Sequence, residues 1–251
     1  MNSETKQSIY KDLKEWIIVL SSFLIINCFL FQPFKIPSGS MVPTLLVGDF
    51  LIANKYCYGY SNDSFRIWNF TIPLPKITQR LFAKNMPQAG DIVVFRNEKD
   101  RNVNYIKRII GLPGDKIELK DGIVYVNDVA LKVTEAGEFT DIEKGEYRIY
   151  KKYIETLPNG YEHVIVKIRN FGESDTDNCG PYYVPDGHYF VMGDNRDNSQ
   201  DSRFAKAVGF IPLENIMGKA MCIFFSTKCS WYEIQKWLFS LRLDRFFTAI
   251  K

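Results

Sequence analysis

The sequence is poor in the residues that build metal centres and cross-linked scaffolds. Its 251 residues include only two histidines, His163 and His188. None of the five cysteines shows the CxxC spacing of a structural zinc site, so we predict no metal site. Their odd number leaves one disulfide open without choosing its pair. The cysteines are Cys28, Cys57, Cys179, Cys222 and Cys229.

Clusters of basic residues are also missing. The 32 Lys and Arg and the 29 Asp and Glu leave a formal net charge of only +3. No Lys/Arg stripe of the kind that nucleic-acid-binding domains present can be found, so we predict no nucleic-acid partner. Hydrophobic residues make up 46% of the chain and charged residues 24%, as in ordinary globular proteins. The length suits one large domain or one domain with appendages.

Charge is absent from one long segment, residues 16–34 (WIIVLSSFLIINCFLFQPF). This length falls within the roughly 17–25 residues that a transmembrane helix needs. Lys6, Lys11 and Lys14 precede the segment, whereas only Lys35 follows it closely. The asymmetry predicts a cytoplasmic tail at 1–15 and an external remainder of the chain. Taken alone, the segment is also compatible with a buried core helix, or with a signal peptide cleaved near Ser38–Gly39–Ser40.

Beyond the segment, short apolar or alternating runs are separated by Gly, Pro and Asp, which is typical of β-strands. We predict a mainly β domain over 35–230, with antiparallel sheets in a sandwich or barrel-like arrangement. Residues 129–180 are expected to be a variable insertion of hairpins, and 231–251 a C-terminal amphipathic tail. The predicted strands are 50–58, 91–96, 103–110, 116–119, 123–126, 162–168, 189–192 and 219–225.

Two segments carry residues suited to nucleophilic chemistry. In IPSGSMVPTL, residues 36–45, the prolines and glycine favour an extended, turning backbone that exposes a hydroxyl. On its own this stretch is equally typical of a linker. In YIKRIIGLPGD, residues 105–115, Tyr105 and Lys107 share one face of a strand. Such a lysine usually faces solvent, but a desolvated one can act as a base near neutral pH.

A third segment, GDNRDNSQDSR at residues 193–203, follows an apolar strand directly. Its composition is compatible with a plain surface loop. The crowding of five charged residues instead predicts a loop cross-linked by ion pairs and hydrogen bonds. These residues are Asp194, Arg196, Asp197, Asp201 and Arg203.

In this order after one uncharged span, the three segments resemble the bacterial type I signal peptidases. The likeness covers most of residues 34–58, 90–126 and 185–225. It implies a catalytic Ser–Lys pair, an oxyanion hole, and supporting residues around the lysine. The implied roles are Ser40 as nucleophile, Lys107 as general base, Ser38 and the Ser40 N–H as the oxyanion hole, Ser199 as a hydrogen-bond partner of Lys107, and Tyr105, Asp201 and Arg203 as supporting residues.

The resemblance further implies a serine endopeptidase of the bacterial cytoplasmic membrane that removes signal peptides from secreted preproteins. It would cut after small residues in an Ala-x-Ala pattern, without metal or organic cofactor. An extended substrate would lie against strand edges. The candidate pocket walls are Phe34, Ile36, Met41, Leu51, Ala53 and Ile106. We also expect Phe65, Trp68, Phe70 and the Trp231–Leu241 face to touch the bilayer surface.

Two other functions compete with this interpretation. A self-cleaving repressor peptidase also uses Ser and Lys, but it needs a DNA-binding domain ahead of the catalytic part, and here only fifteen residues precede the uncharged span. A membrane-tethered β-domain that only binds secreted chains would be expected to lack Ser40 or Lys107. Of the histidines, His188 is predicted to be a turn residue and His163 a structural one.

Overall fold

The computed structural model describes residues 3–61, 66–67, 70–71, 80–83, 85–99, 103–143, 146–228 and 240–250. The chain begins with helix α1, Ser3–Ile25, followed by a π-helical turn at Ile26–Leu30. The predicted helical boundary at residue 34 is wrong, because the helix ends at Ile25 and an edge strand follows. Pro33, which has no N–H to donate, is tolerated in such an edge strand. Within the described ranges, no helix combines the length and apolarity needed to cross a membrane.

Strands dominate the rest of the described chain, as the sequence predicts. Short 3₁₀ turns lie at Gly39–Met41, Tyr56–Tyr58, Leu213–Asn215 and Leu243–Arg245. The strands are β1 Phe31–Lys35, β2 Asp49–Asn54, β3 Arg66–Ile67, β4 Phe70–Thr71, β5 Ile92–Arg96, β6 Asn104–Gly111, β7 Lys116–Lys120, β8 Ile123–Val126, β9 Val129–Ala130, β10 Lys132–Glu143, β11 Glu146–Thr156, β12 Glu162–Lys167, β13 Cys179–Tyr183, β14 His188–Met192, β15 Ile211–Pro212, β16 Ile216–Ser226 and β17 Thr248–Ala249.

The strands form one large sheet and three smaller ones. The large sheet has the order β1-β2-β16-β5-β6-β14-β15, with β17 added to β16. A four-stranded sheet runs β13-β7-β8-β9, a three-stranded sheet runs β10-β11-β12, and β3 pairs with β4. The pairings between these strands are antiparallel, which confirms the mainly β, antiparallel prediction.

The centre of the large sheet is buried on both faces. Alternate residues of β5 enter two different hydrophobic clusters: Ile92 and Val94 pack with Met41 and Leu51, whereas Val93 packs on the opposite side. A strand covered on both faces reads as a continuous apolar run, and every residue of β5 is buried. Lys107 lies opposite Val93 in the neighbouring β6. The fold therefore places a lysine in the middle of a sheet that excludes water.

The 129–180 region supplies β10, β11 and β12 as well as β9 and β13. Its sheet meets the 193–203 loop through an isolated parallel bridge between Val166 and Asn195. The predicted strand 50–58 ends early at Asn54, because the Oδ1 atom of Asn54 accepts the Cys57 N–H and turns the chain. Phe65, Trp68, the Phe70 side chain and residues 229–239 of the predicted C-terminal face lie outside the described residues.

Candidate active site

Ser40 lies in the 3₁₀ turn that connects β1 to β2. Its side chain is nearly buried, with 7% of the residue exposed. Ser38, two residues earlier, precedes the turn with an extended backbone and is exposed to solvent. The sequence thus places one serine inside the fold and the other at its rim.

Lys107 reaches Ser40 from the middle of β6. Its Nζ atom lies 2.6 Å from the Ser40 Oγ atom and 2.9 Å from the carbonyl oxygen of Ile106. Burial disfavours the ammonium form and lowers the pKa of Lys107 from 10.5 to about 8, although Asp201 and Asp194 act in the opposite direction. Near neutral pH, part of the population therefore holds a neutral amine beside the serine hydroxyl.

Two of the predicted supporting residues lie around this pair in different ways. The Tyr105 ring centroid is 5.7 Å from the Lys107 Nζ atom, and the ring stacks on Phe95. Ser199 is buried, but the hydrogen bond predicted between it and Lys107 is not found among the described residues. Its hydroxyl has no regular hydrogen-bond partner there, but it is among the groups that lower the pKa of Asp201. Ser199 therefore lies within the site, close to Gly193 and the Ser40 carbonyl, without a regular hydrogen bond to the lysine.

The charged residues of the 193–203 loop mostly pair outside it. Asp201 and Arg203 pair within the loop, with Nε of Arg203 2.8 Å from Oδ1 of Asp201. Asp194, Arg196 and Asp197 instead reach other strands, so these three predicted ion pairs are formed with residues outside the loop. Their partners are Arg108 on β6, Glu155 on β11 and Lys167 on β12, respectively. The loop is clamped between the large sheet and the β10–β12 sheet.

The carboxylates of these pairs stay charged despite burial. Burial alone would raise the pKa of Asp194, but the Arg108 guanidinium lowers it below its ordinary value. For Asp201, the Arg203 guanidinium and the Gly193 N–H likewise outweigh burial. Paired ions of this kind hold a loop in one conformation, because removing either partner would leave a buried charge without compensation.

The structure brings the six predicted pocket residues together in one cluster. Four of them are fully buried, while Phe34 and Ile106 are half-buried and pack against the cluster. The buried members are Ile36, Met41, Leu51 and Ala53. Met41 itself belongs to the serine turn, so the turn is part of this packed apolar cluster.

The neighbouring titratable residues do not form a metal site. Among the residues that the structure describes, no three His, Cys, Asp or Glu side chains are arranged to hold a metal ion. Cys57, Cys179 and Cys222 are free thiols. His188 contacts the carbonyl oxygen of Asp186 in its own turn, and His163 is buried beside Glu155.

Comparison with known proteins places the chain in a family. The family model described as "Signal peptidase, peptidase S26" matches residues 10–225. This chain belongs to the signal peptidase family. It is 42% identical to signal peptidase I of Rickettsia typhi (strain ATCC VR-144 / Wilmington), over 98% of this chain and 96% of that protein. It is also 42% identical to signal peptidase I of Rickettsia canadensis (strain McKiel), over 98% and 95% of the two chains.

One solved structure is similar to part of this chain. The crystal structure of a signal peptidase I from Enterococcus faecalis V583 is 26% identical to it, with a TM-score of 0.31. The match covers 54% of this chain and 97% of the other one. The family model and the Rickettsia relatives confirm, at the level of the family, the resemblance seen in the three sequence motifs, and the chain is an enzyme of the S26 peptidases.

Sequence reasoning missed several residues that shape the site of this signal peptidase. A Cβ atom on Gly193 would lie 2.3 Å from Ser199 Oγ and 2.5 Å from the Ser40 carbonyl oxygen, so only glycine fits there. Thr44 donates its hydroxyl to Asp194 at 2.5 Å, which ties the serine turn to the Arg108 pair. Asn195 contacts the serine turn as well. The only sequence signal was the arginine beside Lys107 in an apolar strand, which needs an acidic partner.

Proposed function

We propose that this signal peptidase removes signal peptides from secreted preproteins with a Ser–Lys pair, in which Ser40 is the nucleophile and Lys107 the general base. The observation that carries the proposal is the 2.6 Å contact between Lys107 Nζ and Ser40 Oγ inside a buried site. A serine hydroxyl is a weak nucleophile until an adjacent base takes its proton. With its pKa lowered to about 8, Lys107 meets that requirement near neutral pH.

The chemistry divides into two half-reactions, each with two proton transfers through one amine. In acylation, Ser40 Oγ attacks the scissile carbonyl carbon while its proton moves to Lys107 Nζ. The resulting ammonium then donates that proton to the leaving amine, and the acyl group stays on Ser40. In deacylation, Lys107 takes a proton from the attacking water and returns it to Ser40 Oγ. The lysine is neutral at the start and at the end of the cycle.

The developing oxyanion needs donors beside Ser40. We assign the Ser40 N–H and the Ser38 hydroxyl to this role, since Ser40 lies in the turn and Ser38 directly precedes it. The Ser38 side chain is exposed and can rotate toward a bound peptide. One oxyanion donor is typically worth about 10²- to 10³-fold in kcat.

We attribute the preference for substrates with small side chains to the packed apolar cluster that includes the Ser40 turn. Ile36, Met41 and Leu51 are buried there at 2% exposure or less. A tightly packed surface of this kind would admit alanine-sized side chains of an extended peptide and reject larger ones. Substrates would accordingly carry the Ala-x-Ala pattern before the cleavage point, as expected for secretory preproteins.

Membrane attachment is part of the proposal. The second half of α1 exposes consecutive large apolar side chains, including Trp16, Ile17 and Leu20 at more than half of their surface. A contiguous apolar surface of this kind is unfavourable in water and indicates a cover such as lipid. The lysines ahead of it place the N-terminus in the cytoplasm and the β-domain outside. Protease applied to spheroplasts should then digest the β-domain; full protection would contradict this topology.

A preprotein-cleavage assay tests the proposed chemistry. Purified wild type should shorten a secreted precursor at an Ala-x-Ala site, whereas Ser40→Ala should leave it intact. Retained cleavage by folded Ser40→Ala would refute Ser40 as the nucleophile. Cleavage of a precursor in which the Ala-x-Ala residues are replaced by leucine would refute the specificity alone.

A further inference from the structure

Asn195 holds two consecutive carbonyls of the serine turn. Its side-chain Nδ2 atom donates to the Gly39 carbonyl oxygen at 3.0 Å, and its backbone N–H donates to the Ser40 carbonyl oxygen at 3.1 Å. Asn195 is itself fully buried, at 0% exposure. One residue of the 193–203 loop therefore fixes the backbone on both sides of the Ser40 Cα atom.

This contact determines where the Ser40 N–H points. The peptide between Gly39 and Ser40 is trans, since the cis bonds of the described chain lie elsewhere. In a trans peptide the C=O and N–H groups point in opposite directions within one rigid plane. The Gly39 carbonyl is drawn toward the Asn195 amide, so the Ser40 N–H points away from it. Val42 also donates to the Gly39 carbonyl, at a longer 3.3 Å, which makes Asn195 the shorter of two anchors.

Asn195 cannot shift easily, because both of its neighbours are bound to strand β12. The Val166 N–H donates to the Asp194 carbonyl at 2.9 Å, and the Arg196 N–H donates to the Val166 carbonyl at 3.0 Å. The Arg196 guanidinium also pairs with buried Glu155, with NH1 2.8 Å from Oε1. The β10–β12 sheet thus braces the loop from behind while the Asn195 amide faces the nucleophile.

We propose that Asn195 is a positioning residue that orients the Ser40 N–H for donation to the oxyanion, and that the β10–β12 sheet serves as its brace. The proposal rests on the function proposed above, in which the Ser40 N–H stabilises the transition state. The two sheets then have different roles. The large sheet carries Lys107, and the β10–β12 sheet fixes, through Asn195, the direction of the Ser40 N–H. Neither task requires Asn195 to touch the substrate.

Two variants, Asn195→Ala and Asn195→Leu, test the proposal by removing the amide donor. We expect kcat to fall about 10- to 100-fold with little change in KM. A misdirected Ser40 N–H would lose part of the transition-state stabilisation that a deleted oxyanion donor loses entirely. In a Ser40→Ala background, which cannot cleave, Asn195→Ala should leave the affinity for an Ala-x-Ala peptide unchanged. A peptide aldehyde, whose adduct with Ser40 places an oxygen at the oxyanion position, should bind more weakly by the same factor as kcat/KM.

The matched control is Asn97→Ala. Asn97 is also buried, and its Nδ2 donates to the Ala207 carbonyl at 2.9 Å. It directly follows the last residue of β5, whereas Lys107 lies opposite Val93 near the start of that strand. Asn97→Ala should lose stability but keep its kcat. Should both Asn195 variants fail to fold, Asn195→Asp offers the same test above the pKa of its carboxyl group, because a carboxylate only accepts hydrogen bonds.

The outcomes separate this inference from the proposed function. Folded Asn195 variants with kcat within threefold of wild type, or with equal losses in substrate affinity and aldehyde affinity, would overturn the positioning role while leaving the Ser–Lys chemistry intact. A cleaving Ser40→Ala protein would instead overturn the function on which the role rests. A kcat loss of the same size in Asn97→Ala would show that the effect is general destabilisation, and it too would overturn the role.

Discussion

Three lysines are buried among the described residues, and two of them, Lys107 and Lys167, have surroundings that suit them to opposite tasks. Lys107 in β6 is 3% exposed and Lys167 in β12 is 1% exposed. The Nζ atom of Lys167 lies 2.7 Å from a carboxylate oxygen of Asp177 and 2.9 Å from one of Asp197. The Nζ atom of Lys107 contacts a hydroxyl and a carbonyl, and none of the carboxylates in the described ranges lies within ion-pair distance of it.

The difference shows that partners, rather than burial, decide what a buried lysine does. Two carboxylates in contact offset much of the desolvation penalty of an ammonium group. A hydroxyl and a carbonyl offset little of it, so the pKa of Lys107 falls to about 8. Lys167 is thereby suited to hold the 193–203 loop through Asp197, and Lys107 to accept a proton.

Activity should separate the two lysines most strongly. We expect Lys107→Met to lower kcat/KM for a preprotein by at least about 10³-fold, because the general base is lost. Lys167→Met should retain substantial cleavage at a temperature where it stays folded. The measurement is initial cleavage rate at matched folded concentration. Comparable losses in both variants would break the assignment of separate tasks.

Stability should reverse the order of the two variants. Lys167→Met leaves Asp177 and Asp197 without their shared cation, and breaking a buried pair in this way typically costs about 3–5 kcal/mol. Urea unfolding at pH 7 measures this difference. Lys120→Met is the matched control, a lysine in β7 whose pair with Glu118 is partly exposed; its loss should stay within about 1 kcal/mol. Equal stabilities of Lys167→Met and Lys107→Met would show that the Lys167 ion pairs contribute nothing to the free energy of unfolding.

The penalty carried by Lys107 should depend on pH. With a folded pKa of about 8 against an ordinary 10.5, the unfolded chain binds the extra proton between these values. Wild-type stability relative to Lys107→Met should therefore rise with pH across that window, and the full penalty of about 3 kcal/mol applies below pH 8.

Unfolding of wild type and Lys107→Met at pH 7 and pH 10 tests this linkage. We expect Lys107→Met to be at least as stable as wild type at pH 7, with its advantage shrinking toward pH 10. Because the variant differs only at Lys107, titration of the other groups cancels in the comparison. A Lys107→Met protein clearly less stable at pH 7 would argue against a lysine that is disfavoured by burial.

The smallest effect on activity is expected at the histidines, since the proposed mechanism assigns the proton transfers to Lys107. His188→Ala removes a side chain whose hydrogen bond is to Asp186, in its own turn. Its kcat/KM should remain within about twofold of wild type, as for a surface substitution remote from the chemistry. A loss of a hundredfold or more in a folded protein would reopen a serine–histidine mechanism.

Local pattern accounts well for the strands and poorly for their partners. The predicted run 123–126 coincides with β8, and 91–96 differs from β5 by one residue, because apolar alternation and flanking turn residues are local signals. The end of α1 was misplaced because hydropathy does not reveal that residues 31–35 would pair with β2. Backbone pairing of that kind depends on a segment distant in sequence.

The site shows the same division. The likeness to signal peptidases pointed to Ser40 and Lys107, and the structure places them in contact. The partners of Asp194, Arg196 and Asp197 were missed because they lie on β6, β11 and β12, tens of residues away. Asn195 was missed because its role depends on the geometry of one peptide bond. Long-range pairing of charges cannot be read from one stretch of sequence.

The pKa of Lys107 itself is the most direct test of the account. Lysine labelled with ¹³C at Cε and ¹⁵N at Nζ, followed by NMR from pH 6 to pH 11, reports each side chain, and the signal missing from Lys107→Met identifies the residue. We predict that this signal titrates at about pH 8, and that kcat/KM for a preprotein rises with the same midpoint. A Lys107 signal that titrates above pH 10, with kcat/KM still climbing there, would contradict the account.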